Sequence, residues 1–129
     1  MRTFKTFEDI EGWKKARELT REVYQVSGTG AFAKGYALRD QVRRSAISIM
    51  SNIAEGYERS GTGEFSHFLS MAKGSAGELR SQLYTALDLG YINDEVFARL
   101  GAMAEETARL ISGLMTYLRR TEIKGTKYK

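Results

Sequence analysis

Apolar residues recur three and four positions apart along almost the whole chain, and this spacing constrains the fold more than any other feature. It is the period of an α-helix, in which residues i, i+3, i+4 and i+7 share one face. The sequence of 129 residues contains no proline, which would interrupt helices. Breaks that contain glycine divide the pattern into four predicted helices, over residues 7–27, 36–60, 64–89 and 93–120. The predicted fold class is all-α, an antiparallel up-and-down four-helix bundle in one domain of residues 1–129, with a short basic tail at 121–129.

Glycines and short polar side chains mark the predicted helix ends. Thr6, followed three residues later by Asp9, resembles a capping box at the start of the first helix. Gly90 is placed to end the third helix, and Asn93 is placed to cap the fourth. Between the first and second helices, the glycine-rich segment predicts a loop over residues 31–35.

The composition disfavours catalysis, metal binding and membrane insertion. The chain has no cysteine, and its single histidine, His67, has no second histidine with which to build a metal site. No glycine motif for phosphate binding follows a predicted strand. No segment approaches the roughly 20 apolar residues of a membrane span, and the N-terminus lacks the pattern of a signal peptide. We therefore expect a cytoplasmic protein that is not an enzyme, uses no cofactor or metal and does not bind membranes.

The second predicted helix is apolar on two faces. Its core stripe contains Val42, Ile49 and Ile53, whereas Ile47 and Ala54 project to nearly the opposite side at 100° per residue. A helix that is apolar on two faces normally packs against more than its own bundle. We therefore predict that Ile47 and Ala54 lie in an interface between subunits.

A narrow line of polar residues runs beside the core stripes of the second and third helices. The members of this polar seam are Arg44, Ser48, Ser51, Asn52 and Glu55 on the second helix and Ser75, Glu78 and Gln82 on the third. The seam is either an ordinary solvated face or a buried network that fixes the helix register. In an antiparallel hairpin centred on Gly61, residues equidistant from Gly61 lie at similar heights. Arg44 and Glu78 are each 17 positions away, which predicts an ion pair, and Ser48 and Gly74 are each 13 positions away.

The chain carries a formal net charge of +4 at pH 7, which is compatible with binding to nucleic acid or to an acidic partner. Candidate phosphate contacts lie around the second helix and in the C-terminal region: Lys34, Arg39, Arg43, Arg59, Arg119, Arg120, Lys124 and Lys127. Arg39 and Arg43 are one turn apart on one face, and Tyr36 and Tyr57 are candidates for stacking on bases. The alternative is a solvated helix surface whose aromatic residues pack inward.

Four stretches of the chain resemble a known family. They are FEDIEGWKKARELTREVY at 7–24, QVRRSAISIMSNIAEGYERS at 41–60, EFSHFLSMAKGSAGELRSQL at 64–83 and LGYI at 89–92. These motifs resemble those of the four-helix bundle protein family, also called the ribosomal RNA intervening-sequence protein family. The resemblance covers nearly the whole chain. The segment GTGAFAKGYAL, before the second helix, departs from the Phe-Pro and longer charged link that are common in the family.

The resemblance implies an antiparallel four-helix bundle that assembles as a homopentamer in the bacterial cytosol and is associated with inserts in ribosomal RNA genes. The family is similar in architecture to accessory proteins of diversity-generating retroelements, which bind nucleic acid and a reverse transcriptase. The resemblance assigns no catalytic residue to this chain.

The sequence and the resemblance lead to two alternative functions. One is a self-assembling module that binds RNA or DNA through a basic surface. The other is a protein-binding scaffold or accessory subunit, with a reverse transcriptase or another protein as partner, that does not contact nucleic acid directly.

Overall fold

The structure is a computed structural model that describes residues 4–59 and 61–127, with side chains described as far as residue 121. A 3₁₀ turn at Phe7–Asp9 precedes five α-helices, and no strand occurs in these ranges. The helices are α1 (Glu11–Ser27), α2 (Gly30–Lys34), α3 (Tyr36–Glu58), α4 (Thr62–Asp88) and α5 (Asp94–Lys127). The predicted all-α fold is confirmed, with one short helix added to the four long ones.

The four long helices form a closed ring of neighbours. Helix α3 packs against α4, α4 packs against α5, and α1 packs against both α3 and α5. Short connections join helices that are adjacent in this ring, so successive helices run antiparallel. The result is the up-and-down bundle predicted from the periodicity. In the part of the chain that the structure describes, no helix is long and apolar enough to span a lipid bilayer.

One face of each long helix supplies the core. The largest fully buried side chains include Leu19, Val23, Ile49, Ile53, Leu69, Leu79, Leu83, Leu100, Ile111 and Leu118. Burial of each of these side chains stabilises the fold by about 1.5–3 kcal/mol. The apolar residues spaced three and four apart on each helix form this packed interior. Tyr24, which shares the spacing of three and four with the apolar residues of α1, is 40% exposed.

The Thr6 and Asp9 pair, predicted to start the first helix, caps a short 3₁₀ turn instead. One carboxylate oxygen of Asp9 accepts hydrogen bonds from the backbone N–H groups of Lys5 (2.8 Å) and Thr6 (3.2 Å). These two bonds lower the pKa of the Asp9 carboxyl below its usual value. The capped turn is the 3₁₀ turn at Phe7–Asp9, after which Ile10 has extended backbone geometry. Helix α1 therefore begins at Glu11 rather than at residue 7.

The expected loop at 31–35 contains the short helix α2. Its residue Phe32 is buried and stacks on Tyr91, with the ring centroids 5.0 Å apart. Tyr91 belongs to the turn between α4 and α5, so this stacking holds α2 across one end of the bundle. Gly35, which ends α2, packs so closely on Tyr91 that an added Cβ would lie 2.5 Å from the tyrosine hydroxyl.

The predicted turn between α4 and α5 forms as expected. Gly90 has φ +73°, a left-handed conformation that favours glycine, and the N–H of Tyr91 donates to the carbonyl of Ala86 (2.9 Å). The Asn93 side-chain oxygen accepts a hydrogen bond from the N–H of Val96 (2.9 Å), which caps α5. Helix α5 then continues to Lys127 rather than ending at residue 120.

The polar seam contains a hydrogen-bonded network between α3 and α4. The hydroxyls of Ser48 and Ser75 lie 2.9 Å apart, and the Asn52 amide donates to the Ser48 carbonyl (2.9 Å) and to its hydroxyl (3.0 Å). One turn away, the buried Ser45 hydroxyl donates to the Gln82 side-chain oxygen (3.0 Å). Ser48 therefore faces Ser75, one residue from the predicted Gly74.

The predicted ion pair between Arg44 and Glu78 does not form. Both side chains are exposed, and the ion pairs among the described residues do not join them. Arg44 and Ser45, four and three positions before Ser48, project to either side of it around α3 and are about 100° apart. Because Ser45 is the one that turns inward, Arg44 turns toward solvent. Ser51 is also exposed, as is Glu55.

Candidate nucleic-acid interface

The basic residues singled out in the sequence lie at two ends of the bundle. Helices α3 and α5 run parallel, so their C-termini lie at the same end. Lys34, Arg39 and Arg43 are near the start of α3, whereas Arg59, Arg119 and Arg120 are at the opposite end. Lys124 and Lys127 belong to the last turns of α5, and their side chains lie outside the described part. The predicted basic surface is therefore divided rather than continuous.

Arg39 is held by three contacts near the start of α3. Its guanidinium carbon lies 4.8 Å from the centroid of the Tyr36 ring. One terminal nitrogen donates to the carbonyl of Ala33 (3.0 Å), at the end of α2, and the Nε atom donates to Asp40 (3.0 Å). A cation at the C-terminus of a helix satisfies free carbonyls. Tyr36 itself is 62% exposed, so its ring is available to a ligand.

Arg43 makes a second stacked pair, across the groove between α1 and α3. Its guanidinium carbon lies 4.5 Å from the centroid of the Tyr24 ring. The Nε atom donates to the hydroxyl of Ser27 (2.8 Å), and a terminal nitrogen donates to the carbonyl of Tyr24 (3.3 Å). Ser27 is buried, and these bonds place the positive charge at the C-terminus of α1, where the helix dipole favours it.

We name Tyr24, Lys34, Tyr36, Arg39 and Arg43 the arginine–tyrosine surface. Arg39 and Arg43 are one turn apart on α3, so the two stacked pairs are neighbours. The surface contains three cations, and one of them is paired with the carboxylate of Asp40. Guanidinium groups donate to phosphate oxygens, and exposed aromatic rings offer faces to bases. This chemistry suits a nucleic-acid chain.

Arg59, at the other end of the bundle, is less suited to phosphate than Arg39 and Arg43 are. Arg59 donates to Glu55 (2.9 Å) and to Glu64 (3.4 Å), and these hydrogen bonds raise the pKa of its guanidinium. Its guanidinium carbon also lies 5.0 Å from the centroid of the Phe68 ring. Two carboxylates around one guanidinium give a local negative balance, which repels a polyanion. Arg119 and Arg120 are exposed on α5.

Tyr57 does not offer the stacking face predicted from the sequence. Its hydroxyl donates to the carbonyl of Phe4 (2.8 Å), and its ring packs edge-on against Phe4 and Phe65. The exposed aromatic partner that sequence reasoning missed is Tyr24. The exposure of Tyr24 could have been predicted from its position beside Val23, at the edge of the α1 apolar stripe, because residues at a stripe edge are often only half covered.

The outer face of α3 continues from the arginine–tyrosine surface. Ile47, one turn after Arg43, is 42% exposed, and Ala54, two turns further on, is half-buried. A single exposed isoleucine is ordinary on a protein surface, so the exposure of Ile47 is compatible with the predicted subunit contact but does not by itself indicate one. The exposure of Ile47 agrees with the projection from the sequence, and the role of both residues in a subunit interface stays a prediction.

The described residues include no group of three or more histidine, aspartate or glutamate side chains arranged to hold a metal ion. His67 is exposed on α4, with its ring edge-on to Phe68 at a centroid distance of 5.8 Å. No acid, base and nucleophile converge around it in the hydrogen bonds of the described part.

Comparison with known proteins supports the resemblance seen in the sequence. A similar solved structure is that of a protein of unknown function from the S23 ribosomal protein family of Bacteroides thetaiotaomicron. It has 21% sequence identity and a TM-score of 0.74, and the match covers 81% of this chain and 97% of that chain. At this level of identity, the structural similarity shows that the two proteins share a fold. None of the curated proteins compared with the chain matches it. The sequence model of the 23S rRNA-intervening sequence protein family matches residues 8–113, and the chain belongs to that family.

Proposed function

We propose that this protein is a non-enzymatic helical module of the bacterial cytoplasm that binds RNA or DNA through the arginine–tyrosine surface. The observation that carries the proposal is the pair of stacked contacts, Arg39 on Tyr36 and Arg43 on Tyr24, one turn apart on α3. Such a surface combines phosphate donors with aromatic faces, as proteins that bind single strands do. The family name, which refers to an intervening sequence of ribosomal RNA, is consistent with this chemistry.

We further propose that copies of the chain associate through the outer face of α3 that contains Ile47 and Ala54. The resemblance to the family implies a homopentamer, and the exposed Ile47 is a suitable apolar contact for a second copy. Association would place several arginine–tyrosine surfaces on one particle. Linked sites raise the overall affinity for a long strand by increasing the effective concentration of each site.

Salt-dependent binding tests the proposed interaction with nucleic acid. The dissociation constant of a fluorescein-labelled RNA is measured by anisotropy over a series of KCl concentrations. Three phosphate contacts predict a slope of about −2 in log affinity against log salt, at about 0.7 per contact for a single strand. Replacing Arg39 with Gln removes one contact, so the slope should become shallower by about 0.7.

The matched control is Arg119→Gln, which removes one exposed charge from the far end of the bundle. It is expected to leave the slope close to that of the wild type. Thermal unfolding of each variant verifies that the helices remain intact. No binding of RNA or DNA at low salt would end the proposal, and equal losses in both variants would assign binding to net charge rather than to this surface.

The second candidate is a protein-binding scaffold or accessory subunit, with a reverse transcriptase or another protein as partner. Exposed tyrosine and arginine are also the residues enriched at protein interfaces, which favours this alternative. A protein partner that depends on Tyr36 and Arg39, together with an absence of nucleic-acid binding, would identify this function.

A further inference from the structure

We infer that the arginine–tyrosine surface selects single-stranded over double-stranded nucleic acid by stacking unpaired bases on Tyr24 and Tyr36. This inference rests on the proposed function and states which form of the ligand the surface takes. The observations that carry it are the exposure of the two rings, the hydrogen bonds that fix their arginine partners and the small number of cations around them.

Both tyrosines present aromatic area to solvent from fixed positions. Tyr36 is 62% exposed and Tyr24 is 40% exposed. Each is on a long helix, and each has a guanidinium near one ring face, at 4.8 Å and 4.5 Å respectively. The remaining exposed area of each ring is therefore available to a flat, polarisable group. A nucleobase is such a group, and every base has a π-face to offer.

The arginines are anchored by hydrogen bonds within the protein, which prepares the surface for binding. Arg43 donates to Ser27 and to the carbonyl of Tyr24, and Arg39 donates to the carbonyl of Ala33. These bonds use some of the five N–H donors of each guanidinium and leave others free for phosphate. Because the side chains are already ordered, less rotamer entropy is lost when a ligand binds.

A duplex cannot use the two rings in the same way. Its bases are stacked inside the helix, so a protein must first unstack them, at a cost of a few kcal/mol, before an aromatic side chain can contact their faces. At this surface a duplex would therefore be held through the cations Lys34, Arg39 and Arg43, and three phosphate contacts give weak, strongly salt-dependent binding. An unpaired strand adds base stacking to the same contacts, so the surface favours it.

The test compares strands of one mixed sequence, about 16 nucleotides long, the upper end of the site sizes seen in single-strand binding proteins. Single-stranded RNA, single-stranded DNA and both duplexes are titrated with the full-length protein. We expect single strands to bind at least about tenfold more tightly than duplexes, from two stacked bases. Tyr36→Leu, which keeps an apolar side chain but removes the ring, should weaken single-strand binding about fivefold or more and leave duplex binding unchanged.

Two further variants separate stacking from structural effects. Tyr36→Phe keeps the ring and is expected to bind like the wild type. Tyr117→Leu removes a similarly exposed tyrosine from α5, toward the other end of the bundle, and should have no effect. Tyr24→Leu tests the contribution of the second ring, on α1, independently. Arg43 donates its hydrogen bond to the backbone carbonyl of Tyr24, so this bond is kept when the ring is removed.

The outcomes distinguish this inference from the proposed function. If neither single strands nor duplexes bind, the proposed function fails and the inference fails with it. If both bind equally and Tyr36→Leu changes neither, the proposed function stands and the inference is wrong. If Tyr36→Leu and Tyr24→Leu change the oligomeric state but not the affinity for the strand, the tyrosines belong to a protein interface and the inference is overturned.

Discussion

At the scale of single residues, Gly56 on α3 is packed directly against Phe68 and Phe65 of α4. A Cβ added there would lie 2.6 Å from the Cβ of Phe68 and 3.2 Å from a ring carbon of Phe65. The backbone of α4 would have to move to accommodate it. Gly56→Ala is therefore expected to lower the free energy of unfolding by about 1–3 kcal/mol through overpacking, as measured by urea denaturation.

Gly74 provides the matched control for this substitution. It lies within α4, and an added Cβ would meet nothing within 4 Å. Gly74→Ala should stabilise the protein by about 0.5–1 kcal/mol, because alanine has the higher helix propensity. A Gly56→Ala variant as stable as the wild type would show that the two helices are not packed as described.

Asp9 gives the stability of the N-terminal turn a defined dependence on pH. Its pKa is lowered in the folded state by the N–H groups of Lys5 and Thr6. A lowered pKa means that the contribution to stability is present above the unfolded value, near 4, and is lost as the pH falls through the folded value. The difference in unfolding free energy between the wild type and Asp9→Asn should be present at pH 6 and shrink toward pH 3. A difference that stays constant over this range would contradict the assignment.

At the scale of secondary-structure elements, the hydrogen bond between Ser45 and Gln82 joins α3 to α4. Ser45→Ala removes the donor to the Gln82 oxygen and should cost about 1–3 kcal/mol, because the partly buried amide loses its partner. The double variant Ser45→Ala/Gln82→Leu should recover part of this loss, since no polar group is then left unpaired. The free energies of unfolding of both single variants and the double variant, measured by chemical denaturation, give the interaction energy in a double-mutant cycle.

Ser51→Ala is the control for the cycle, because Ser51 is exposed on the same helix. A change within about 0.5 kcal/mol is expected there. Strictly additive losses at Ser45 and Gln82 would show that the two side chains do not interact.

The elements that sequence reasoning predicted are those whose information is local. Periodic apolar residues specify the four long helices, and Gly90 and Asn93 specify the turn before α5. Helix α2 was missed because five residues are too few to show a period, and its one buried side chain, Phe32, packs on the distant Tyr91. Its position is a tertiary effect.

The pairing of residues between α3 and α4 was also predictable only in part. Counting from Gly61 gives the height of a residue along the hairpin, and it placed Ser48 within one position of its partner, Ser75. The count carries no information on which side of the helix a residue projects, so the predicted pair of Arg44 with Glu78 was wrong.

The candidate site was predictable only in part. The spacing of Arg39 and Arg43 placed them on one face, and Tyr36 was proposed as an aromatic partner. The pairing of Arg43 with Tyr24 and Ser27 could not be predicted, because it crosses between α1 and α3 and depends on how those two helices pack.

At the scale of the whole molecule, the outer face of α3 predicts association between copies. The wild type should have a mass well above the 14.5 kDa of one chain in analytical ultracentrifugation. Ile47→Glu places a charge in the proposed interface and should shift the protein toward monomer, because an unpaired buried charge is costly. Tyr117→Glu, at a position of similar exposure on α5, which is not a neighbour of α3 in the described part of the bundle, should leave the assembly intact. A monomeric wild type, or an unchanged mass for Ile47→Glu, would contradict the proposed interface.

The position of a bound strand on the folded protein tests the central claim most directly. Single-stranded RNA containing 4-thiouridine is cross-linked to the wild-type protein by light, and the modified peptides are identified by mass spectrometry. The arginine–tyrosine surface predicts cross-links on the peptides that contain Tyr24 and Tyr36, lost when an unlabelled strand competes. Cross-links confined to the far end of the bundle, around Arg119 and Arg120, would contradict it.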